Sequence, residues 1–183
     1  MLQDYRYSGL KSAVAATAGI LFWTGSFLLP MLQAERLPDN GWQVLAIAYP
    51  DDRDVEVVLG GAAKTLTAKG ICKVNWRDNV TTLELKMEAL PSPAEAGWSD
   101  GQYVLWAIDN EKRTLNLGPV PLDGGEAEWR VQAPFRIFGL LVTAEKNPPT
   151  SSPSTAVALE SLLPTDPRLV VPVFRVDIAL TPY

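Results

Sequence analysis

Phe174-Arg175-Val176-Asp177-Ile178-Ala179-Leu180, near the end of the 183-residue chain, is the stretch that decides the fold. Its even-numbered residues are all apolar, whereas Arg175 and Asp177 between them are charged. Side chains of a β-strand point alternately to opposite faces, so this period of two predicts a strand with one buried and one solvated face.

Most of the chain from Trp42 onward shows this kind of pattern, including the longer run that contains this stretch. The apolar or alternating runs are Trp42–Ala48, Val55–Leu59, Ile71–Trp76, Thr81–Met87, Tyr103–Ile108, Thr114–Leu117, Ala127–Val131, Phe138–Ala144 and Val170–Leu180. Turn-forming Gly, Pro, Asn and Asp residues separate them. Short strands with such turns predict an all-β domain over residues 42–183, either an Ig-like antiparallel β-sandwich or a barrel. A turn or two of helix is expected only at Ala156–Leu163.

The N-terminal part of the chain has a different character. Ser12–Leu32 contains no charged residue over 21 positions, enough for a helix to cross the roughly 30 Å hydrocarbon core of a bilayer. Arg6 and Lys11 precede it, and Lys and Arg favour the cytoplasmic side. The sequence therefore predicts a short cytoplasmic head (1–11), a transmembrane helix (12–32), a linker (33–41) and an extracytoplasmic domain. The predicted location is the bacterial inner membrane with the main domain in the periplasm.

A cleaved signal peptide is the alternative for the same segment. The stretch is N-terminal and follows Lys11, and Pro30 lies a few residues before Ala34. However, the apolar run exceeds the usual core of about 7–15 residues, and Leu32-Gln33-Ala34 is a poor match to a cleavage site of small residues. We therefore favour a retained anchor.

The predicted helix has one side of small residues with a single aromatic ring among them. At helical spacing this side comprises Ala15, Ala18, Gly19, Phe22, Gly25 and Ser26. Small residues let a second helix approach closely, and van der Waals packing then drives association in lipid. The alternative is that small residues are simply common in membrane helices.

The composition excludes several kinds of site. The chain has no histidine, the commonest general base and a common metal ligand. Cys72 is the only cysteine, which leaves no internal disulfide, and its apolar neighbours predict a buried, unreactive thiol. A net charge of −5 without clustered Lys or Arg disfavours nucleic acid as a partner. We therefore expect no catalytic residue, no metal site, no cofactor and no enzymatic activity.

Three local features remain as candidates for binding. Asp51, Asp52, Asp54 and Glu56 could bind calcium through oxygen, but a solvated strand edge is the expectation. Gly60-Gly61 and Gly124-Gly125 lack the context of phosphate loops and are predicted as hairpin turns. Trp98, in the Pro- and Gly-flanked loop Pro91–Gly101, is the candidate for an exposed partner contact. Trp76 and Trp106 are predicted to be core residues.

The stretch from about Val55 to Pro164 carries several motifs in order. They are Ala89-Leu90-Pro91, Tyr103-Val104-Leu105-Trp106-Ala107-Ile108, Asn116-Leu117-Gly118, Asp123-Gly124 and Phe138-Gly139-Leu140-Leu141-Val142-Thr143-Ala144-Glu145, followed by Lys146-Asn147-Pro148-Pro149. In order and spacing they resemble the extracytoplasmic domain of anti-sigma-K factors. The resemblance implies one membrane pass and a small external sandwich. It does not carry over sigma-factor regulation, because only eleven residues stand where that family has its sigma-binding domain.

These features favour a non-catalytic accessory subunit of a larger membrane complex. Its partners would be other membrane-protein subunits, contacted through the helix and the periplasmic domain, together with the lipid bilayer. Two alternatives remain open: an envelope sensor derived from an anti-sigma-factor-like module, and an anchored module that binds glycan or peptide.

Overall fold

The computed structural model describes residues 40–51, 53–148 and 150–183. The predicted cytoplasmic head, the predicted membrane helix and nearly all of the linker lie outside these residues. Within the described part, no helix is both long and apolar enough to cross a membrane. Every regular element described is a β-strand.

Ten strands make up the described domain, and all pairings between them are antiparallel. They are β1 (Gly41–Ala48), β2 (Asp54–Gly61), β3 (Lys69–Arg77), β4 (Val80–Glu88), β5 (Gln102–Asp109), β6 (Thr114–Pro119), β7 (Ala127–Ala133), β8 (Ile137–Glu145), β9 (Val157–Pro164) and β10 (Val173–Ala179). The sheet runs in the order β10-β1-β8-β9-β2-β3-β4-β7, and β5 and β6 continue from the other side of β8.

The main core is one buried cluster that draws on strands far apart in this order. Val57, Cys72 and Leu85 contribute from β2, β3 and β4. Leu105 and Leu140 contribute from β5 and β8. Because these strands share one buried face, the sheet folds back on itself in a sandwich-like arrangement, and apolar burial of this kind supplies the main stabilising free energy.

A second, smaller core lies on the other face of β5 and β8. Val44 of β1 and Val176 of β10 meet Trp106 of β5 and Leu141 of β8 in one buried cluster. The β1–β10 pair therefore covers the outer face of the β5–β8 pair. This explains why β5 and β8 read as nearly continuous apolar runs, since strands buried on both faces need apolar residues at every position.

The prediction of an antiparallel all-β domain is confirmed for the described residues. The alternation in the last run is also confirmed, because Val176 and Ile178 are buried in the smaller core while Arg175 is exposed. The predicted turn Gly124-Gly125 ahead of β7 is a type I′ hairpin, and so is Asp78-Asn79 between β3 and β4. All four residues have positive φ.

Two local predictions are wrong. Ala156–Leu163 contains no helix, because Val157–Pro164 forms β9 between β2 and β8. Ala, Leu and Glu favour helix locally, but the strand is fixed by pairing on both sides and by burial of Leu159. Gly60-Gly61 is not a turn, since both residues belong to β2 and pair with β9.

Candidate functional site

One end of the described domain brings together Asn40, Tyr183 and the loop that carries Trp98. Leu180 N donates to Asn40 O over 2.8 Å, which places the first described residue beside the end of β10. Tyr183 Oη donates to Ser99 O over 2.8 Å, which ties the C-terminus to the loop. We call this surface the Trp98 end.

A single tight turn sets the position of Trp98. Ser92 N and Ser92 Oγ both donate to Glu95 Oε2 over 2.8 Å. These bonds lower the pKa of Glu95, the backbone hydrogen bond from Ser92 having the larger effect. Trp98 N donates to Pro93 O over 2.9 Å, after Gly97 has turned the chain at a φ of +76°. The loop therefore presents the indole in a defined position.

The Trp98 indole is partly buried and packs against the main core. Its ring meets Tyr103 edge to face, with centroids 6.2 Å apart. Lys64 Nζ lies 5.1 Å from the Trp98 ring centroid and donates to Gly97 O over 3.1 Å. The indole thus combines apolar area with a neighbouring cation, a combination common at interfaces. Its role as a partner contact stays a prediction.

Tyr183 forms the second aromatic element of this end. Lys146 Nζ lies 4.5 Å from the Tyr183 ring centroid. Tyr183 N donates to Thr155 Oγ1 over 3.1 Å, so the last residue is held at its backbone as well as at its hydroxyl. Sequence reasoning missed this residue, because a terminal Tyr carries no pattern of its own.

A buried polar network fixes the loop after β8 to the sheet. Trp106 Nε1 donates to Thr143 Oγ1 over 2.8 Å, and Thr143 Oγ1 donates to Glu145 Oε1 over 2.5 Å. The same Glu145 oxygen accepts from Ser154 N over 2.9 Å. Both Thr143 and Glu145 are buried, so each needs these partners. The network makes Glu145 a structural carboxylate that supports the Trp98 end.

A depression of about 610 Å³ opens beside the loop. Leu90, Pro91 and Leu122 supply apolar walls, and Glu95 supplies a carboxylate. Below the surface, burial raises the pKa of the Tyr103 hydroxyl, and its oxygen has no hydrogen-bond partner within the described chain. The Trp98 end therefore combines a depression with apolar walls, aromatic rings and charges of both signs.

The acidic cluster does not converge on one point in its described part. Asp54 Oδ2 lies 2.7 Å from Lys73 Nζ, and Asp51 Oδ2 lies 3.0 Å from Arg136 Nη2. Hydrogen bonding to Lys73, and secondly to Asn75, lowers the pKa of Asp54. No three Cys, Asp or Glu side chains of residues 40–51, 53–148 and 150–183 are grouped closely enough to share a metal ion. Asp54 and Glu56 are exposed, but the prediction of a strand edge is wrong, because β2 pairs with β3 on one side and β9 on the other.

Cys72 is buried in the main core, as the sequence predicts. Burial raises the pKa of its thiol well above the usual range. Trp106 is fully buried, whereas Trp76 is partly buried against the core. The predicted helix-packing face lies outside the described residues.

No family model matches the chain, and neither a curated protein nor a solved structure matches it. The resemblance to anti-sigma-K factors therefore stays a prediction. Its two longest motifs, Tyr103–Ile108 and Phe138–Glu145, lie in β5 and β8, which pair along their whole length.

Proposed function

We propose that this chain is a non-catalytic accessory subunit of a larger membrane protein complex. A helix over Ser12–Leu32 holds it in the bacterial inner membrane, and its β-domain braces neighbouring subunits on the periplasmic side. The observation that carries the proposal is the uncharged 21-residue stretch ahead of a folded domain. Respiratory, photosynthetic and translocation complexes all fit this description.

The chemistry of the Trp98 end supports a partner on this surface. Trp, Tyr and Arg supply much of the binding energy at protein interfaces, where large rings combine apolar area with a polar handle. Trp98 and Tyr183 lie on this end, each with a lysine over its ring. Asn40 lies at the same end of the described domain.

We infer further that the β-domain belongs to the Ig-like sandwich class and that the resemblance to anti-sigma-K factors reflects a shared fold. The sandwich-like main core supports this inference. The motif residues are largely structural: Tyr103 and Phe138 pack in the main core, and Glu145 holds the buried network. A common fold with a different task is consistent with such motifs.

The decisive experiment isolates the full chain, tagged at its N-terminus, from native membranes in mild detergent. We expect it to migrate in a particle much larger than its own 20.0 kDa. Trp98→Ala should release it from that particle, whereas Trp129→Ala, a partly buried tryptophan on β7, should leave the particle intact. Thermal unfolding of both variants separates lost contact from lost folding.

The predicted helix face is tested in the same preparation. Gly19→Leu places a bulky side chain on the small-residue side and should weaken association. Thr24→Leu is the matched control, since ideal helical spacing puts Thr24 on the opposite side. A chain that migrates alone, or that washes off the membrane in alkaline carbonate, would contradict the proposed function.

A further inference from the structure

β10 lies at one edge of the described sheet. It pairs with β1 alone among the described strands. Leu180 N donates to Asn40 O, and Ala48 N donates to Pro172 O over 3.0 Å, which fixes the even-numbered residues of β10 as those bonded to β1. Hydrogen-bonded pairs alternate along an antiparallel ladder, so Val173, Arg175, Asp177 and Ala179 direct their N–H and C=O groups outward.

The chain closes this edge on the C-terminal side of a short window. Thr181 N donates to Pro153 O over 2.9 Å, and Thr155 N donates to Thr181 O over 2.8 Å, so the outer edge is already occupied there. At the other end, β10 begins at Val173. The open window is therefore Val173–Ala179, long enough for one additional strand of ordinary length.

The odd-numbered side chains of this window are exposed or half-exposed and carry charges of opposite sign. Asp177 Oδ1 accepts from Gln43 Nε2 over 3.0 Å. Arg175 is exposed and makes no ion pair with any described residue. On the opposite face, Phe174 is 41% exposed at the rim of the smaller core, although the other apolar side chains of that face are buried.

We propose that this window binds a second copy of the chain, with the two β10 strands antiparallel and Arg175 of each copy opposite Asp177 of the other. In that register the residues with outward backbone groups face each other and form the hydrogen-bonded pairs. The two-fold axis passes between the two Val176 residues, as a closed dimer with one self-complementary patch requires.

Charge selects this register over its neighbours. A shift by one residue loses the hydrogen bonds, because inward and outward backbone groups would be opposed. A shift by two places Arg175 against Arg175 or Asp177 against Asp177, and like charges directly opposite are destabilising. Among these registers, only the proposed one satisfies both conditions. An edge that is merely protected by charge would not need opposite signs at alternate positions.

The apolar face favours the same arrangement. Phe174 of one copy would lie beside Ile178 of the other, on the face that each β10 turns towards its own smaller core. The pairing therefore covers the exposed ring of Phe174 and joins two smaller cores into one layer. This inference goes beyond the proposed function and does not depend on it.

The first test is a cysteine cross-link that reports the register. Full chains carrying Val173→Cys and Ala179→Cys are purified separately, mixed and oxidised mildly. In the proposed register these two positions are opposite each other at about 5.5 Å between Cα atoms, within reach of a disulfide. We expect a linked dimer in the mixture and little in either variant alone, while the parent chain gives none because Cys72 is buried.

The second test reverses the charges. Arg175→Asp and Asp177→Arg should each weaken dimerisation about tenfold or more, since two contacts per dimer change from attraction to repulsion. The double variant restores opposite signs and should regain dimerisation to within about threefold of the parent. A monomeric parent chain, equal cross-linking in every mixture, a double variant as weak as the singles, or capture of an unrelated strand at this edge would overturn the proposal.

Discussion

Gly139→Ala should be among the most destabilising single-methyl changes in this domain. Gly139 lies in β8 beneath the point where β1 crosses its outer face. A methyl carbon added there would lie 2.5 Å from Val44 Cγ1, 3.0 Å from the Leu45 carbonyl carbon and closer still to the Leu45 carbonyl oxygen. Two of these three atoms belong to the backbone of β1, so no rotamer change can clear them.

The magnitude follows from the separation that the methyl group would force. Carbon atoms pack comfortably at about 3.5–4.0 Å, so β1 must move away from β8 by about 1 Å. The smaller core lies directly under β1, and Val44 is buried in it. Forcing extra volume into a packed core costs about 1–3 kcal/mol and sometimes more, and rigid backbone at the contact argues for about 3 kcal/mol or above. That is a large part of the roughly 5–15 kcal/mol that holds a domain folded.

Urea unfolding of the purified full chain, followed by far-ultraviolet circular dichroism, measures this loss, and thermal unfolding should show a fall in Tm of about 10 °C. Gly60→Ala is the matched control. Its nearest neighbours all belong to the Leu162 side chain, which is exposed and can swing aside, so the change should stay within about 0.5 kcal/mol. Equal stability of the two variants would refute the close crossing of β1 over β8.

Three further predictions concern the buried and charged groups. Thr143→Val keeps the shape but leaves the Trp106 indole N–H without its partner, so urea unfolding should show a loss of about 2–4 kcal/mol, and an unchanged midpoint would argue against the network. The pKa of Asp54 is lowered in the folded state, chiefly by Lys73. Its contribution to the free energy of unfolding is therefore present above about pH 4 and lost as pH falls through the lowered value. Asp54→Asn should flatten the acid side of a plot of stability against pH. Cys72 should resist thiol reagents in the folded chain and react fully in denaturant, and rapid native labelling would contradict its burial.

The strands were predictable because local pattern and tertiary environment agree in most of them. β10 alternates because one face covers the smaller core and the other meets solvent. Asp78-Asn79 predicts a turn because both residue types tolerate the positive φ that a type I′ hairpin demands. In these elements a window of a few residues carries the information that the fold uses.

β9 was not predictable for the opposite reason. Its residues Ala158, Leu159 and Glu160 are good helix formers, and the stretch shows no alternation. It forms a strand because it pairs with β2 on one side and with β8 on the other, and those two strands are far apart in the sequence. The prediction of a turn at Gly60-Gly61 was wrong for a similar reason. Pairing with β9 extends β2 through two residues that usually end a strand.

Of the Trp98 end, only the loop that carries Trp98 could be predicted from the sequence. Pro91–Gly101 has the composition of an exposed loop, which singled out Trp98. The buried network is different, because Trp106 and Thr143 are 37 residues apart, so no local pattern announces their hydrogen bond. The resemblance to anti-sigma-K factors marked Glu145 as a motif residue, but its buried role as acceptor became visible only in three dimensions.

The proposed membrane anchor would favour the proposed dimer by raising the local concentration of the chain. One pair of seven-residue edge strands is a small interface, and such contacts are weak between freely diffusing chains. Confinement of both copies to one membrane raises their effective concentration, which converts a weak contact into a populated one without any new interaction. Cross-linking between Val173→Cys and Ala179→Cys should therefore be more efficient when both chains share a membrane than in concentrated detergent solution, and the yield in detergent should fall as micelles dilute the chains apart. If dilution leaves the yield unchanged, the edge is strong enough to act without the membrane, and the dimer would then stand independently of the anchor.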